Sequence, residues 1–234
     1  MSKRSDIIDG ADAARVPYGL IYTEVLGWID LGHAQGTDIR KLLRNIEAGE
    51  SSGKESYDVV YSQSMVDPTR SMKMGKFIKW RIKRGRSYAE RTSIALGMMM
   101  SLARKFEGLQ AAFPLNFTTD SGFSGEDLVS DLLGFYRVVS VQNPFPALQP
   151  VSKQEALKRW DYYGKVGAWK NETFSPLLFP DPDRFPNAKP RRGELPNFMR
   201  TVRPWNDFRS GIVAIASAEG SFIDKARGGA LPHA

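Results

Sequence analysis

The chain has 234 residues, of which 41% are hydrophobic, 25% charged and 11% aromatic, and this composition excludes a mainly disordered protein. It contains no cysteine, which excludes disulfide scaffolds, zinc ribbons, iron–sulfur clusters and cysteine nucleophiles. The formal charge of +7 favours anionic partners such as nucleic acid, phospholipid or wall polymers.

The first part of the chain predicts a lead-in followed by short strands and a helix. Residues 1–16 are polar and patternless, which predicts a flexible lead-in. Aromatic and β-branched residues predict a strand over 18–29, and apolar residues at helical spacing predict a helix over 37–49. Strands are predicted at 57–61 and at 76–83, where apolar residues alternate with Lys and Arg.

Three later helices are predicted from capping patterns, in which a serine is followed three residues on by an acidic residue. These pairs are Ser87 with Glu90, Ser124 with Asp127, and Ser152 with Glu155. The first helix is expected to run to about Ala112, before a proline, and the third to end near Gly164. Helices are therefore expected to dominate the middle of the chain.

The amino-acid composition changes at residue 144. Ten of the fourteen prolines lie in 144–204, interleaved with aromatic residues, which predicts an irregular arm wrapped over a helical core. A short strand or helix is predicted at 212–218, followed by a mobile tail at 219–234. We expect an α+β fold with one globular domain over 17–218, mainly helical with a few short strands.

The sequence carries no signal of a membrane segment. Residues 1–19 hold no apolar run of the length that a signal peptide requires, and the longest nearly apolar stretch, 95–103, is about half a membrane span. We expect synthesis in the cytoplasm, no transmembrane segment, and secretion, where it occurs, by a route that does not read such a signal.

Histidine chemistry is expected to depend on His33, because the other histidine, His233, is penultimate. Glycines around His33 indicate a bent backbone, in which Asp30 lies on the same side and can orient the imidazole or share a metal with it. Glu24 belongs to the same candidate group. The alternative is structural: Asp30 caps a turn and the histidine binds a local carbonyl.

The segment 120–136 holds a second group of polar residues. Ser124 and Asp127 are explained as a helix cap, and Glu126 beside them is favoured by the helix dipole. Asp127 and Asp131 are like charges four residues apart, an arrangement that a cation or substrate would relieve. The segment is not a nucleophile elbow, because Glu126 stands where that motif requires its second glycine.

Glu107 follows Phe106 on the apolar side of the long predicted helix. A half-buried carboxylate at this position would have a raised pKa suited to acid or base catalysis. The alternative is a surface ion pair with Lys105 or Arg104.

Residues 70–86 carry eight cations and no acid. On a strand, alternate cations form a one-sided basic face that could follow a polyanion, although a solvated or edge strand has the same pattern. No recognised nucleic-acid-binding motif accompanies the segment, so specific nucleic-acid recognition is not expected.

Four blocks resemble, in order and approximate spacing, a bacterial family called domain of unknown function 4056. They are GWIDLGHAQG at 27–36, FEG at 106–108, SGFSGEDLVSDLLGFY at 121–136 and RPW at 203–205. The resemblance spans about residues 18 to 208. It implies a shared pocket built from separate segments, and similarity to envelope-attacking effectors of contact-dependent, type VI-like secretion.

The positions that match polar residues of that family are Asp30, His33, Glu107, Ser124, Glu126, Asp127 and Ser130. The sequence departs from the family at Phe106, which stands in place of a histidine. This departure weakens any histidine-rich metal site.

The leading hypothesis is an antibacterial effector that hydrolyses the cell envelope, as a peptidoglycan amidase or peptidase, or as a muramidase. His33, oriented by Asp30, is assigned as general base or metal ligand, and Glu107 or Glu126 as the second acid-base group. Substrate binding is assigned to Asp127, Ser130, Ser124 and Trp28. One divalent metal ion held by Asp30, His33 and Glu107 is compatible with this set.

The expected partners are an anionic envelope polymer, an immunity protein and a secretion apparatus. The alternative hypothesis is a non-catalytic module that binds an anionic partner through 70–86.

Overall fold

A computed structural model describes residues 2–66, 72–112 and 123–225. The chain forms two compact units, each made from two separate segments: residues 1–36 with 107–201, and residues 37–106 with 202–234. Both contain helices and antiparallel strands, so the predicted α+β class is confirmed. None of the described helices is long and apolar enough to span a membrane.

The first unit is built on a small sheet of order β1-β2-β5-β6. Its strands are β1 (Leu20–Thr23), β2 (Gly27–Asp30), β5 (Leu177–Leu178) and β6 (Arg191–Arg192). β1 and β2 form a hairpin, so the prediction of one strand over 18–29 is wrong. The reversal depends on the Thr23 hydroxyl, which accepts a hydrogen bond from Leu26 N–H and donates one to the Gly27 carbonyl.

Three helices complete the first unit: α3 (Asp127–Val139), α4 (Phe145–Leu148) and α5 (Lys153–Tyr163). The start and end predicted for α5 are confirmed, because the Ser152 hydroxyl accepts a hydrogen bond from Glu155 N–H and Gly164 follows the last turn. The rest of 144–204 is largely irregular between these helices and short turns.

Residues 2–16 were predicted to be flexible, and this prediction is wrong. Ile7 is fully buried, and it forms a parallel bridge with Leu20. Gly10 N–H donates to the Val151 carbonyl. Burial of an isoleucine contributes roughly 1.5–3 kcal/mol, and together with these backbone contacts it helps to hold the segment in place.

The second unit contains a three-stranded antiparallel sheet of order β3-β4-β7. Its strands are β3 (Ser56–Val66), β4 (Met72–Lys83) and β7 (Val213–Lys225). The predicted alternation in β4 is confirmed, since Ile78, Trp80 and Ile82 are buried. Residues 219–225 belong to β7 instead of a mobile tail, and 226–234 lie outside the described residues.

Helix α1 (Thr37–Ser51) packs on β3 in the second unit, as its apolar spacing predicts. The same unit holds most of helix α2 (Tyr88–Ala112), whose last residues belong to the first unit. The capping box predicted for α2 is confirmed: Ser87 N–H donates to Glu90 Oε2 at 2.8 Å, and Glu90 N–H donates to Ser87 Oγ at 3.2 Å.

Candidate active site

The turn after β2 is held by Asp30. Its Oδ1 accepts hydrogen bonds from Gly32 N–H at 2.6 Å and His33 N–H at 3.3 Å. The hydrogen-bond partner of the His33 ring is Asp131, whose Oδ1 lies 3.1 Å from Nδ1. The prediction that Asp30 orients the imidazole directly is therefore wrong: Asp30 shapes the turn, and a carboxylate 98 residues further along holds the ring.

Close contact between the turn and α3 brings His33 to Asp131. A Cβ at Gly36 would lie 2.3 Å from the Gly134 carbonyl, so only glycine permits this approach. Gly134 is three residues from Asp131 and therefore lies on the same face of α3. Arg137, a further three residues on, donates from Nη1 to the Ala34 carbonyl at 2.6 Å.

The His33 side chain is 38% exposed, and that of Asp131 is 12% exposed. Burial opposes charging of the imidazole, but the hydrogen bond and charge of Asp131 outweigh it. Further negative charges on Asp127 and Asp30 act in the same direction, so the pKa of His33 lies well above its usual value. His33 is therefore an imidazolium at neutral pH.

Glu107 lies inside the first unit, with only 1% of the residue exposed. The alternative of a surface ion pair is therefore wrong. Its Oε2 accepts a hydrogen bond from Phe123 N–H at 2.8 Å, and its side chain hydrogen-bonds to Asp127. Burial raises the pKa of Glu107 to about 7, helped by the charge of Asp131 and opposed by the Phe123 hydrogen bond and by His33.

The start of α3 adds more buried polar groups. Asp127 Oδ2 accepts a hydrogen bond from Ser124 N–H at 3.0 Å, which is half of the predicted capping pattern. The Ser124 hydroxyl donates to Glu126 Oε2 instead of capping the helix, and the Ser2 hydroxyl donates to Glu126 Oε1 at 2.7 Å. Burial, followed by the charges of Glu126 and Glu107, raises the pKa of Asp127 well above its usual value.

These groups form one site, which we call the acidic cluster: His33, Glu107, Glu126, Asp127 and Asp131. The charges of Glu107, Asp127, Asp131 and His33 influence one another's ionisation, so the four lie within electrostatic reach. Carboxyls whose pKa is raised, beside an imidazole whose pKa is also raised, can both accept and donate protons.

Two residues that support the cluster have no recognisable local signal in the sequence. Phe123, which supplies the N–H for Glu107, has a φ of 53°, a strained conformation for a non-glycine residue. Asn171 is 2% exposed; its N–H donates to the Phe123 carbonyl, and its Nδ2 donates to the Gly125 and Ser175 carbonyls. Asn171 thus holds the 123–125 segment from both ends.

Two residues predicted to contact substrate are instead buried supports. Trp28 is 2% exposed and packs edge-to-face against Tyr22 and Trp160 in the core. Ser130 is fully buried, and its hydroxyl accepts a hydrogen bond from Asp30 N–H at 3.0 Å, which joins β2 to α3. Glu24 lies outside the cluster, since its carboxylate binds Arg159 Nη2 at 2.6 Å.

The predicted metal ligands do not converge. Across residues 2–66, 72–112 and 123–225, no three histidine, aspartate or glutamate side chains form a group that could hold a metal ion.

The basic segment lies in the second unit, mostly on β4. β4 is the central strand of its sheet, so the reading of this segment as an edge strand is wrong. Asp58 on β3 lies 3.2 Å from Lys79 Nζ and 2.8 Å from Arg81 Nε, so one carboxylate engages two of the cations. Arg70 lies outside the described residues.

Comparisons with known proteins add no assignment. The chain matches no protein-family model, no curated protein and no solved structure.

Proposed function

We propose that the protein is a hydrolase of the bacterial cell envelope, of amidase, peptidase or muramidase type, secreted as an antibacterial effector. The observation that carries a hydrolytic role is Glu107: a buried carboxyl with a pKa of about 7, hydrogen-bonded to Asp127 and electrostatically coupled to His33. General acid-base catalysis is most effective when the pKa of the catalytic group lies near the working pH. The envelope as target follows from the sequence resemblance.

In this proposal the roles of the two groups differ from those expected from sequence. An imidazolium has no free lone pair, so His33 with its raised pKa cannot act as a general base at neutral pH. It serves as proton donor and as a positive charge facing the reacting bond. Glu107 is about half ionised near its pKa of about 7, and its carboxylate form accepts the proton from water.

In the hydrolytic step, Glu107 accepts a proton and His33 donates one. The oxygen of a water molecule bonds to the carbon of the scissile bond while Glu107 takes a proton from that water. The bond from this carbon to the leaving atom breaks, and the leaving atom receives a proton from His33 Nε2, the ring nitrogen that does not face Asp131. Glu107 afterwards returns its proton to solvent, and His33 regains one.

The biological setting in this proposal has three parts. The protein is made in the cytoplasm, is delivered by a secretion apparatus to the periplasm of a target cell, and is neutralised in the producing cell by an immunity protein. The basic net charge of +7 favours adsorption to an anionic wall polymer.

The test is expression in bacteria, in the cytosol or with an added export signal, followed by growth and lysis measurements. We expect lysis only from the periplasmic form. Purified protein incubated with isolated peptidoglycan would then show which bond is cleaved, since amide hydrolysis releases amino groups and glycoside hydrolysis releases reducing ends.

Glu107→Gln and His33→Ala are expected to lower the rate of peptidoglycan hydrolysis by roughly 100-fold or more, the usual size of a general acid-base contribution. Glu172→Gln, a change at an exposed glutamate of the same unit, is the matched control and should retain the rate. Full activity of both site variants with intact folding would overturn the mechanism. Absence of any toxicity or turnover by soluble wild-type protein would instead favour the binding module based on 70–86.

A further inference from the structure

A pocket of about 390 Å³ opens in the first unit beside the turn that carries His33. Its wall includes Tyr18, Asp30, Asp6, Ser5 and Ser2. Ligand pockets run from roughly 300 to 1,000 Å³, so this one is sized for a single small group of a larger ligand.

Three contacts connect the pocket to the acidic cluster. Asp30, in its wall, fixes the His33 turn by accepting the Gly32 and His33 N–H groups. Ser2, also in its wall, donates to Glu126. A Cβ at Gly32 would lie 3.5 Å from Tyr18 Cδ1 and 3.0 Å from Asp30 Oδ1, so the tyrosine ring packs on the same turn. A group in this pocket is thus next to the turn that carries His33 and to a residue that contacts Glu126.

The polar atoms of the pocket wall form an acceptor-rich rim. Asp30 uses Oδ1 for the turn, while Oδ2 accepts no hydrogen bond from the described residues. Asp6 accepts hydrogen bonds from Lys3 N–H and the Ser5 hydroxyl, so its position is fixed. No lysine or arginine is among the described residues of the wall. Such a rim suits a neutral ligand with several hydroxyl or amide donors.

The apolar surface of the pocket is an aromatic ring. Tyr18 is 71% exposed, so its ring is accessible to a ligand, and Ile8 lines the pocket beside it. A tyrosine offers an apolar face and a polar hydroxyl at once. A pyranose ring has the matching character, because its C–H face is apolar and its edge carries hydroxyl groups.

We propose that this pocket is a subsite for a sugar residue, and that the substrate of the acidic cluster is a glycan strand. The link to catalysis rests on the proposed hydrolase function, whereas sugar binding itself does not. Tyr18 supplies the stacking surface, and Asp30 Oδ2 accepts a hydrogen bond from a sugar hydroxyl or N-acetyl amide. The glycan strand continues from this subsite towards His33.

The test is binding of a soluble N-acetylglucosamine oligomer, measured by calorimetry and by NMR chemical-shift changes, with a wall stem peptide as the competing probe. We expect the sugar oligomer to bind and to shift the Tyr18 ring resonances. Tyr18→Ala is expected to weaken binding about tenfold, equivalent to about 1.4 kcal/mol. Tyr18→Phe keeps the ring and should retain most of the affinity.

Tyr88→Ala, a change at an exposed tyrosine of the other unit, is the matched control and should bind as the wild type does. A wild-type protein that binds the stem peptide or simple amines but not the sugar oligomer would overturn the subsite. So would equal affinity in Tyr18→Ala. Because binding is measured without turnover, sugar binding by a protein with no hydrolytic activity would refute the proposed function and leave the subsite standing.

Discussion

The acidic cluster of the first unit and the basic strand β4 of the second unit each bring charged groups of one sign together, but with opposite effects on carboxyl pKa values. In the cluster, Glu107 and Asp127 are buried beside each other, and both hold protons more tightly than usual. On β4, Lys79 and Arg81 share Asp58 on the neighbouring strand, and this arrangement holds the pKa of Asp58 below its usual value.

The difference shows which charges are candidates for chemistry. An ion pair at the surface lowers the energy of the ionised forms and leaves them ionised at neutral pH. Burial of neighbouring carboxyls raises the energy of the ionised forms, so that the protons can be lost and regained near neutral pH. This difference supports our proposal that function resides in the cluster, although β4 is the more conspicuous feature of the sequence.

The largest effect is expected from removing the Glu107 charge. Its folded-state pKa of about 7 exceeds the ordinary value of 4.5, so the folded protein binds the proton more tightly than the unfolded chain does. This stabilisation is present at low pH and is lost as pH rises from about 4.5 to 7. The free energy of unfolding of Glu107→Gln should therefore match that of the wild type near pH 4 and exceed it near pH 8 by roughly 3 kcal/mol. Urea unfolding at several pH values measures this difference.

The matched control for this experiment is Glu172→Gln, which should follow the wild-type pH dependence throughout. A Glu107→Gln protein that is less stable than the wild type at every pH would show that the carboxylate is stabilising, and would contradict the burial argument.

A smaller effect is expected from Asp127→Asn. The change keeps a side-chain oxygen that can accept the Ser124 N–H. The hydrogen bond of Asp127 lowers the pKa of Glu107, and an amide is a weaker donor than a carboxylic acid, so the pKa of Glu107 should rise. Carboxyl ¹³C NMR titration measures the shift directly.

Asp131→Asn removes a negative charge that raises the pKa of Glu107, so it should lower that pKa, in the opposite direction to Asp127→Asn. A Glu107 pKa that is unchanged in both variants would show that the carboxyls do not interact and that the cluster consists of separate structural groups.

The smallest effect is expected on β4. Asp58→Asn should lower the free energy of unfolding by less than about 1 kcal/mol, because exposed ion pairs contribute little, and the change should shrink at high salt. Since pairing lowers the pKa of Asp58, the contribution is present above its ordinary pKa of 3.8 and is lost as pH falls through the lowered value. Urea unfolding at two salt concentrations checks this. A loss of several kcal/mol in the free energy of unfolding would contradict the contrast between β4 and the acidic cluster.

Local patterns predicted most of the regular elements. Ser87 with Glu90, and Ser152 with Gly164, mark helix ends through hydrogen bonds between residues a few positions apart, so the sequence alone located them. The alternation in β4 was equally visible, because every second side chain of a strand faces the same way.

Contacts between segments that are distant in the sequence could not be predicted from local patterns. The pairing of β2 with β5 requires Gly27, since a Cβ there would lie 2.0 Å from the carbonyl of Leu177, a residue that no pattern near Gly27 reveals. Ile7 lies in a segment without a clear local pattern, and only the structure shows that it is buried.

The candidate site divides in the same way. From the sequence alone came the residue types, the single well-placed histidine, and the candidate status of Glu107, Glu126 and Asp127. Only the tertiary structure decided that His33 pairs with Asp131 and that Glu107 is buried. The physical reason is that a pKa depends on desolvation and on charges across space, and the chain must fold before either exists.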